Sequence, residues 1–146
     1  MQISINELPE NLTYLGNSAF WNAGPNVIIT KIPKNIKTLP NFCFTFCPKV
    51  QVTEFGSDDG SSLLSSIGDS CFYGAGKYQN GGSITSIVFY KSIIDVKDKA
   101  FYDYKMPNLN EVVFRNNESV FNDKNQNRTT MGFTNTNVNV VWGNTN

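Results

Sequence analysis

A hexapeptide recurs four times in the 146-residue chain, and it limits the possible folds more than any other feature. It reads Leu15-Gly16-Asn17-Ser18-Ala19-Phe20, then Leu39-Pro40-Asn41-Phe42-Cys43-Phe44. The later copies are Ile67-Gly68-Asp69-Ser70-Cys71-Phe72 and Val96-Lys97-Asp98-Lys99-Ala100-Phe101. Each begins with an aliphatic residue and ends with a small residue followed by Phe. The phenylalanines are separated by 24, 28 and 29 residues.

The flanks repeat as well. Upstream lie Leu8-Pro9-Glu10-Asn11-Leu12, Ile32-Pro33-Lys34-Asn35-Ile36 and Phe89-Tyr90-Lys91-Ser92-Ile93. In the third copy a polar insertion, Gly56 to Ser62, separates Phe55 from Leu63-Leu64. Downstream comes an apolar triplet: Leu109, Val112, Phe114 and Ile84, Ile87, Phe89, with weaker copies at Val50, Thr53, Phe55 and Val27, Thr30, Ile32. Thr85 to Phe89 and Glu111 to Arg115 alternate and are rich in β-formers, so they read as short strands. One short strand and a turn cannot bury an apolar face alone. Stacked copies can, with each Phe meeting its equivalent in the next repeat. The small residue before each Phe fits a tight internal position, and Gly or Pro early in the hexapeptide permits a sharp corner.

These residues resemble the BspA-like (Treponema pallidum type) leucine-rich repeat family. Ile32 to Leu39 followed by Cys43-Phe44-Thr45-Phe46-Cys47 carries its pattern most closely, and Cys47 falls on the family's cysteine. Pro40 and Lys97 stand where Gly is usual, and Asn22 or Ala23 and Tyr104 where Cys is usual. The resemblance implies a β-rich, α/β-type right-handed solenoid with one short strand per turn. Its convex side would be mostly turns or 3₁₀ pieces. It also implies a non-catalytic role in adhesion or protein binding, on bacterial or protist surfaces or in bacteriophage tails and baseplates. The expected layout is a solenoid of about four repeats over 1–115 and an Asn-rich cap with a final strand over 116–146. Within that cap Met131-Gly132-Phe133 reads as a decayed motif and Val138 to Trp142 as the strand. The N-terminal end has almost no cap, because Leu8 and Leu12 come so early.

The composition excludes several chemistries. There is no histidine, which removes Ser-His-Asp and Cys-His catalysis, histidine zinc sites and histidine pH switches. Twelve basic and twelve acidic residues cancel, so the electrostatic footprint of a nucleic-acid binder is missing. Cys43, Cys47 and Cys71 are odd in number and read as reduced, buried, small apolar residues. No run of 18 apolar residues suggests a membrane span, and the first residues lack the basic and apolar regions of a secretory signal. Three sequons, at Asn11, Asn117 and Asn127, match the number expected by chance among twenty asparagines.

Asp58 and Asp59 in the Gly-Ser loop suggest calcium less than a solvated loop, since EF-hand spacing is lacking. Asp95, Asp98 and Asp103 show no cleft for glycosidase acids. Gly74-Ala75-Gly76-Lys77 to Gly82 fits no phosphate-binding pattern and reads as a loop. No cofactor or metal is expected. The best contact candidates are aromatic: Trp21, Tyr73, Tyr78, Tyr90, Tyr102, Tyr104 and Trp142. Trp21, Tyr73 and Tyr102 directly follow a core Phe and should point off the turn face. Lys31, Glu54, Val88 and Val113 should be exposed on the strand face. The expected partner is a virion or host-surface protein, or a surface glycan, with self-association also open. The Asn-rich composition and the resemblance suggest a virion tail, baseplate or head appendage. A bacterial cell-surface adhesin is the first rival, and a carbohydrate-active enzyme or an intracellular scaffold are lesser ones.

Overall fold

The computed structural model describes residues 4–76 and 84–143. Its regular elements are β1 (Ile5–Asn6), β2 (Val27–Ile29), β3 (Thr38–Leu39), β4 (Lys49–Val50), β5 (Glu54–Phe55), β6 (Ser66–Ile67), β7 (Ser86–Phe89), β8 (Asp95–Val96) and β9 (Glu111–Asn117). Two short helices, α1 (Glu118–Asn122) and α2 (Arg128–Met131), precede β10 (Asn139–Gly143). Every strand pairing is parallel, in the orders β1-β2-β4, β5-β7-β9-β10 and β3-β6-β8. This is a β-rich repeat fold in which each repeat lays its short strands beside those of its neighbours.

The strand triplets find their places. Phe55, Phe89 and Phe114 share one register row, and Glu54, Val88, Val113 and Val141 the next. Between the second and third repeats the pairing differs from the sequence alignment: Val50 faces Ile29, not Val27. A two-residue slip preserves the alternation, so Val27 and Ile29 both stay inward and the core loses nothing.

The wall opposite the strands is built from turns that follow one backbone rule. The residues two before and two after each core Phe are left-handed: Ser18 and Asn22, Phe42 and Phe46, Ser70 and Gly74, Lys99 and Asp103, all with φ between 54° and 64°. This lets alternate N–H groups turn sideways. Ser18, Phe20 and Asn22 donate to the carbonyls of Asn41, Cys43 and Thr45 in the next repeat, at 3.0, 2.9 and 2.8 Å. Phe42, Phe44 and Phe46 donate likewise to Asp69, Cys71 and Tyr73, and Ser70, Phe72 and Gly74 to Asp98, Ala100 and Tyr102. The intervening N–H groups close turns within their own repeat, as from Cys47 to Phe44 and Ala75 to Phe72. Most backbone donors of this wall are thereby satisfied without helix or regular strand.

Two phenylalanine stacks fill the interior. On the turn side Phe20, Phe44, Phe72, Phe101 and Phe133 follow one another at 5.7, 5.2, 5.2 and 5.2 Å between ring centres. On the strand side Phe55, Phe89, Phe114 and Trp142 stack at 5.1, 4.6 and 4.3 Å. The stacks meet edge to face, as at Phe55–Phe72 and Phe89–Phe101. Each such pair adds about 1 kcal/mol beyond the burial of its rings. The small residues Cys43, Cys71 and Ala100 are fully buried between them.

Beyond residue 115 the chain changes its means of attachment. Gln126 donates to Asp95 and accepts from the Val96 N–H, meeting the edge of β8 with a side chain where a strand would otherwise pair. Asn116 donates to the carbonyls of Lys91 and Ile93, and Lys124 to that of Ile94. Asn127 and Thr130 form a reciprocal capping box at the start of α2, which ends at left-handed Gly132. The Arg128 guanidinium binds the carbonyls of Phe133, Asn135 and Val138, fixing the approach to β10. The strand expected at Val138 to Trp142 is β10. The two helices were not legible, since neither exceeds five residues.

Candidate functional site

The outer surface of the turn wall gathers exposed aromatic rings. In the first, third and fourth repeats the residue after the core Phe projects outward, which places Trp21 (54% exposed), half-buried Tyr73 and Tyr102 (41% exposed) on that face. The second repeat breaks the row. Its residue there is Thr45, buried, with its hydroxyl donating to the Ser70 carbonyl at 2.6 Å. Phe42 and Phe46 flank Thr45 and stand 43% and 46% exposed. Phe46 meets Tyr73 edge to face at 5.8 Å, and Tyr73 stacks on Tyr102 at 5.3 Å.

Phe42 and Phe46 both occupy left-handed backbone, at φ 57°. A bulky residue there costs about 1–2 kcal/mol relative to ordinary backbone. The equivalent residues are Ser, Asn, Gly, Lys and Asp, so the wall does not require Phe. Sequence reasoning missed both, because Phe42 and Phe46 sit among core-type residues and no composition signal separates an inward Phe from an outward one.

The other aromatic candidates lie elsewhere. Tyr104 projects inward at the place of Cys47 and Ala75. Its ring stacks on Phe72 at 5.2 Å, and its hydroxyl lies 3.1 and 3.3 Å from the carbonyls of Val52 and Val50. Those carbonyls flank the break between β4 and β5, and burial holds the phenol well above its ordinary value. Trp142 lies on Phe114 at the end of the strand-side stack. Tyr90 sits on the strand face and donates to Glu54 at 2.8 Å, a hydrogen bond that raises its pKa. Tyr78 lies outside the described residues.

The strand face carries exposed Lys31 and Glu54 and half-buried Val88 and Val113. Asp58 accepts from the Lys91 N–H at 2.9 Å and pairs with Arg115 at 3.1 Å, so its carboxylate ties the Gly-Ser loop to the next repeats. Asp59 accepts from Ser61, Asp95 from Ser66 and Gln126, and Asp103 pairs with Lys105. Among the described residues no group of three or more acidic or cysteine side chains is arranged to hold a metal. The cysteines are free and buried. Burial, with the neighbouring Cys47, pushes Cys43 up to about 12; burial pushes Cys47 up to about 11 and raises Cys71 as well. Thiols held in this way are not nucleophiles at neutral pH. A groove of about 410 Å³ runs between Thr13–Leu15 and Lys37–Asn41, and a cavity of about 150 Å³ lies between Tyr104 and Phe133.

Stacked repeats with short parallel strands place the chain in the class of repeat proteins. The chain belongs to the BspA type leucine rich repeat family, which matches residues 2–80 and 74–139 in six copies. No curated protein and no solved structure matches it. The family is generally one of non-catalytic modules that mediate protein–protein contact and are typically surface-associated. No helix among the described residues is long and apolar enough to cross a membrane.

Proposed function

We propose that this chain is a non-catalytic recognition module that holds a protein partner against its aromatic turn wall. One observation carries the reading: Phe42 and Phe46 are kept exposed in a backbone conformation that disfavours them. Strain of this kind persists where function repays it. Exposed Phe, Tyr and Trp bury large area on rigid side chains when a partner docks. The rings of Trp21, Tyr73 and Tyr102 extend the same face. On this reading the repeats form a right-handed solenoid, residues 116–146 cap its C-terminal end, and Tyr104 and Trp142 serve the scaffold.

The setting we infer is a virion tail, baseplate or head appendage, acting in attachment or assembly. The Asn-rich composition and the family's adhesive character support it. The typical surface association of the family favours a second reading, a bacterial cell-surface adhesin that binds a host protein or glycan.

The test compares the native chain with Phe42→Asn/Phe46→Asn, which suits left-handed backbone. Partner capture from particle and cell-envelope fractions, read by cross-linking and mass spectrometry, should fall at least tenfold in a variant that remains folded. Equal capture by the variant would overturn the role of the wall. The fraction that yields the partner decides the setting.

A further inference from the structure

The turn wall changes its pairing where it meets α2. From the first segment to the fourth, N–H groups on alternate residues reach carbonyls two residues apart, three at each junction. Between the fourth segment and α2 only two such bonds form. Lys99 donates to Thr130 at 2.6 Å and Phe101 to Met131 at 2.8 Å. The helical turn sets these two acceptors on adjacent residues, so the two chain segments part after Phe101. The Phe133 carbonyl is taken by Arg128 Nε at 3.0 Å. Asp103 keeps the left-handed backbone of its equivalents Phe46 and Gly74, at φ 57°. Its N–H therefore faces the same way as theirs, and among the described residues it meets no acceptor.

The cavity of about 150 Å³ lies at this parting. Gly132, left-handed at φ 107°, presses against the Tyr102 backbone, where a side chain would collide with it. The chain then sends Phe133 inward onto Phe101. Ile87, Phe101, Leu109, Phe133 and Val138 give the cavity its apolar lining. Exposed Asp103 and Thr134 stand at its rim. An apolar cavity of this size holds one benzene ring.

We infer that this cavity seats a phenylalanine side chain of the protein partner, while a backbone carbonyl of the same partner segment accepts from the Asp103 N–H. The inference rests on the reading of the turn wall as a protein-binding face, and it names the anchor. Size selects a single ring. The Asp103 N–H selects an acceptor held beside that ring, which a peptide backbone supplies and a free hydrocarbon does not. The partner's carbonyl completes the third bond that the junction with α2 leaves out. The rim follows directly on Tyr102, so a segment lying along Tyr73 and Tyr102 continues into the cavity. An aromatic ring in a pocket, ringed by weaker contacts, carries much of the energy of an interface.

The test titrates the full chain with N-acetyl-L-phenylalanine methylamide and with its D enantiomer. The L probe should give saturable NMR shifts at the methyl groups of Ile87, Leu109 and Val138, and should move the Asp103 amide downfield. The D probe keeps the ring and the carbonyls but misplaces one against the other, so it should bind about tenfold more weakly. Leu109→Phe fills the cavity, and Thr134→Trp covers its rim; each should abolish the shifts. Thr134 is exposed, so its variant tests the site even where Leu109→Phe fails to fold. Absence of shifts with millimolar L probe, an unmoved Asp103 amide, equal binding of the enantiomers, or undiminished binding to a folded variant would overturn the inference. Phe42→Asn/Phe46→Asn should leave the probe shifts unchanged. Reduced partner capture by that variant without probe binding fails the anchor alone; probe binding with undiminished capture fails the aromatic wall alone.

Discussion

Phe46 lies over Gly74, with a ring carbon 2.6 Å from the point where a Cβ on residue 74 would stand. Gly74 is also left-handed, at φ 64°. The glycine clears the space in which the exposed ring of the second repeat reaches Tyr73 in the third. Gly74→Ala therefore meets both backbone strain and a clash. It should destabilise the chain by about 1–2 kcal/mol and displace Phe46. Urea denaturation reads the first effect, and aromatic ring NMR shifts of Tyr73 read the second. Unchanged stability would mean that the ring swings away freely.

Phe42→Asn should do the reverse. Asn tolerates left-handed backbone, and Phe42 is partly exposed, so the variant should gain about 1 kcal/mol. The denaturant midpoint measures it. A loss of stability would show that the Phe42 ring earns its place by packing.

The hydroxyl of Tyr104 is the polar group that the broken sheet draws upon. Tyr104→Phe keeps the stack on Phe72 and removes the donor beside Val50 and Val52. It should cost about 1–3 kcal/mol, because a buried acceptor is left short of a partner. Tyr102→Phe, on the exposed wall, should stay within about 0.5 kcal/mol of the native chain. Similar costs for the two would place the penalty elsewhere than at the break.

Alkaline pH should weaken the fold through the buried thiols. In the unfolded chain they ionise near 9.0, whereas in the folded chain Cys47 holds its proton to about 11 and Cys43 to about 12. Their contribution is complete below the unfolded value. It is lost as pH rises through the folded values, because unfolding then releases protons. Melting temperatures measured from pH 8 to pH 10 should fall for the native chain. They should fall less for Cys43→Ala/Cys47→Ala, whose new residues already stand at the equivalent positions 19, 100, 23 and 75. Ellman's reagent should leave all three thiols unlabelled until urea is added.

Gln126 replaces a strand at the edge of β8, so Gln126→Ala should loosen that edge. The loss of its bonds to Val96 and Asp95 should cost about 1–2 kcal/mol. Hydrogen exchange at Val96 should quicken while that at Phe72 does not. Equal protection in both chains would mean that α1 and α2 hold the edge without it.

The inward half of each repeat was legible because burial imposes a pattern on sequence. The Phe at 20, 44, 72 and 101, the small residue before it and the aliphatic residue five before it all answer to packing. The outward half was not. Its backbone rule is identical in each repeat, yet the left-handed positions hold Ser, Asn, Phe, Gly, Lys and Asp, which share no side-chain chemistry. The slip at Ile29 and Val50 was hidden for another reason: a displacement of two leaves the in-and-out alternation unchanged. Tyr104 and Trp142 read as contact candidates only because they are aromatic, and aromatic character does not tell an inward ring from an outward one. Tyr104 is inward because it stands three residues after Phe101, as Cys47 does after Phe44, and that spacing was available in the sequence.

The left-handed pairs have a consequence for how such a chain changes over time. They fix the course of the outer wall by backbone geometry, and the inner stacks hold it there, so the outward residues are released from specifying the fold. Except where another side chain fills the space, as Phe46 does over Gly74, swapping them alters stability mainly by differences in left-handed preference. A lineage can thus rewrite the displayed face, one residue at a time, while inheriting the same frame. Changes of partner should then accumulate beside each core Phe long before the phenylalanines themselves are replaced.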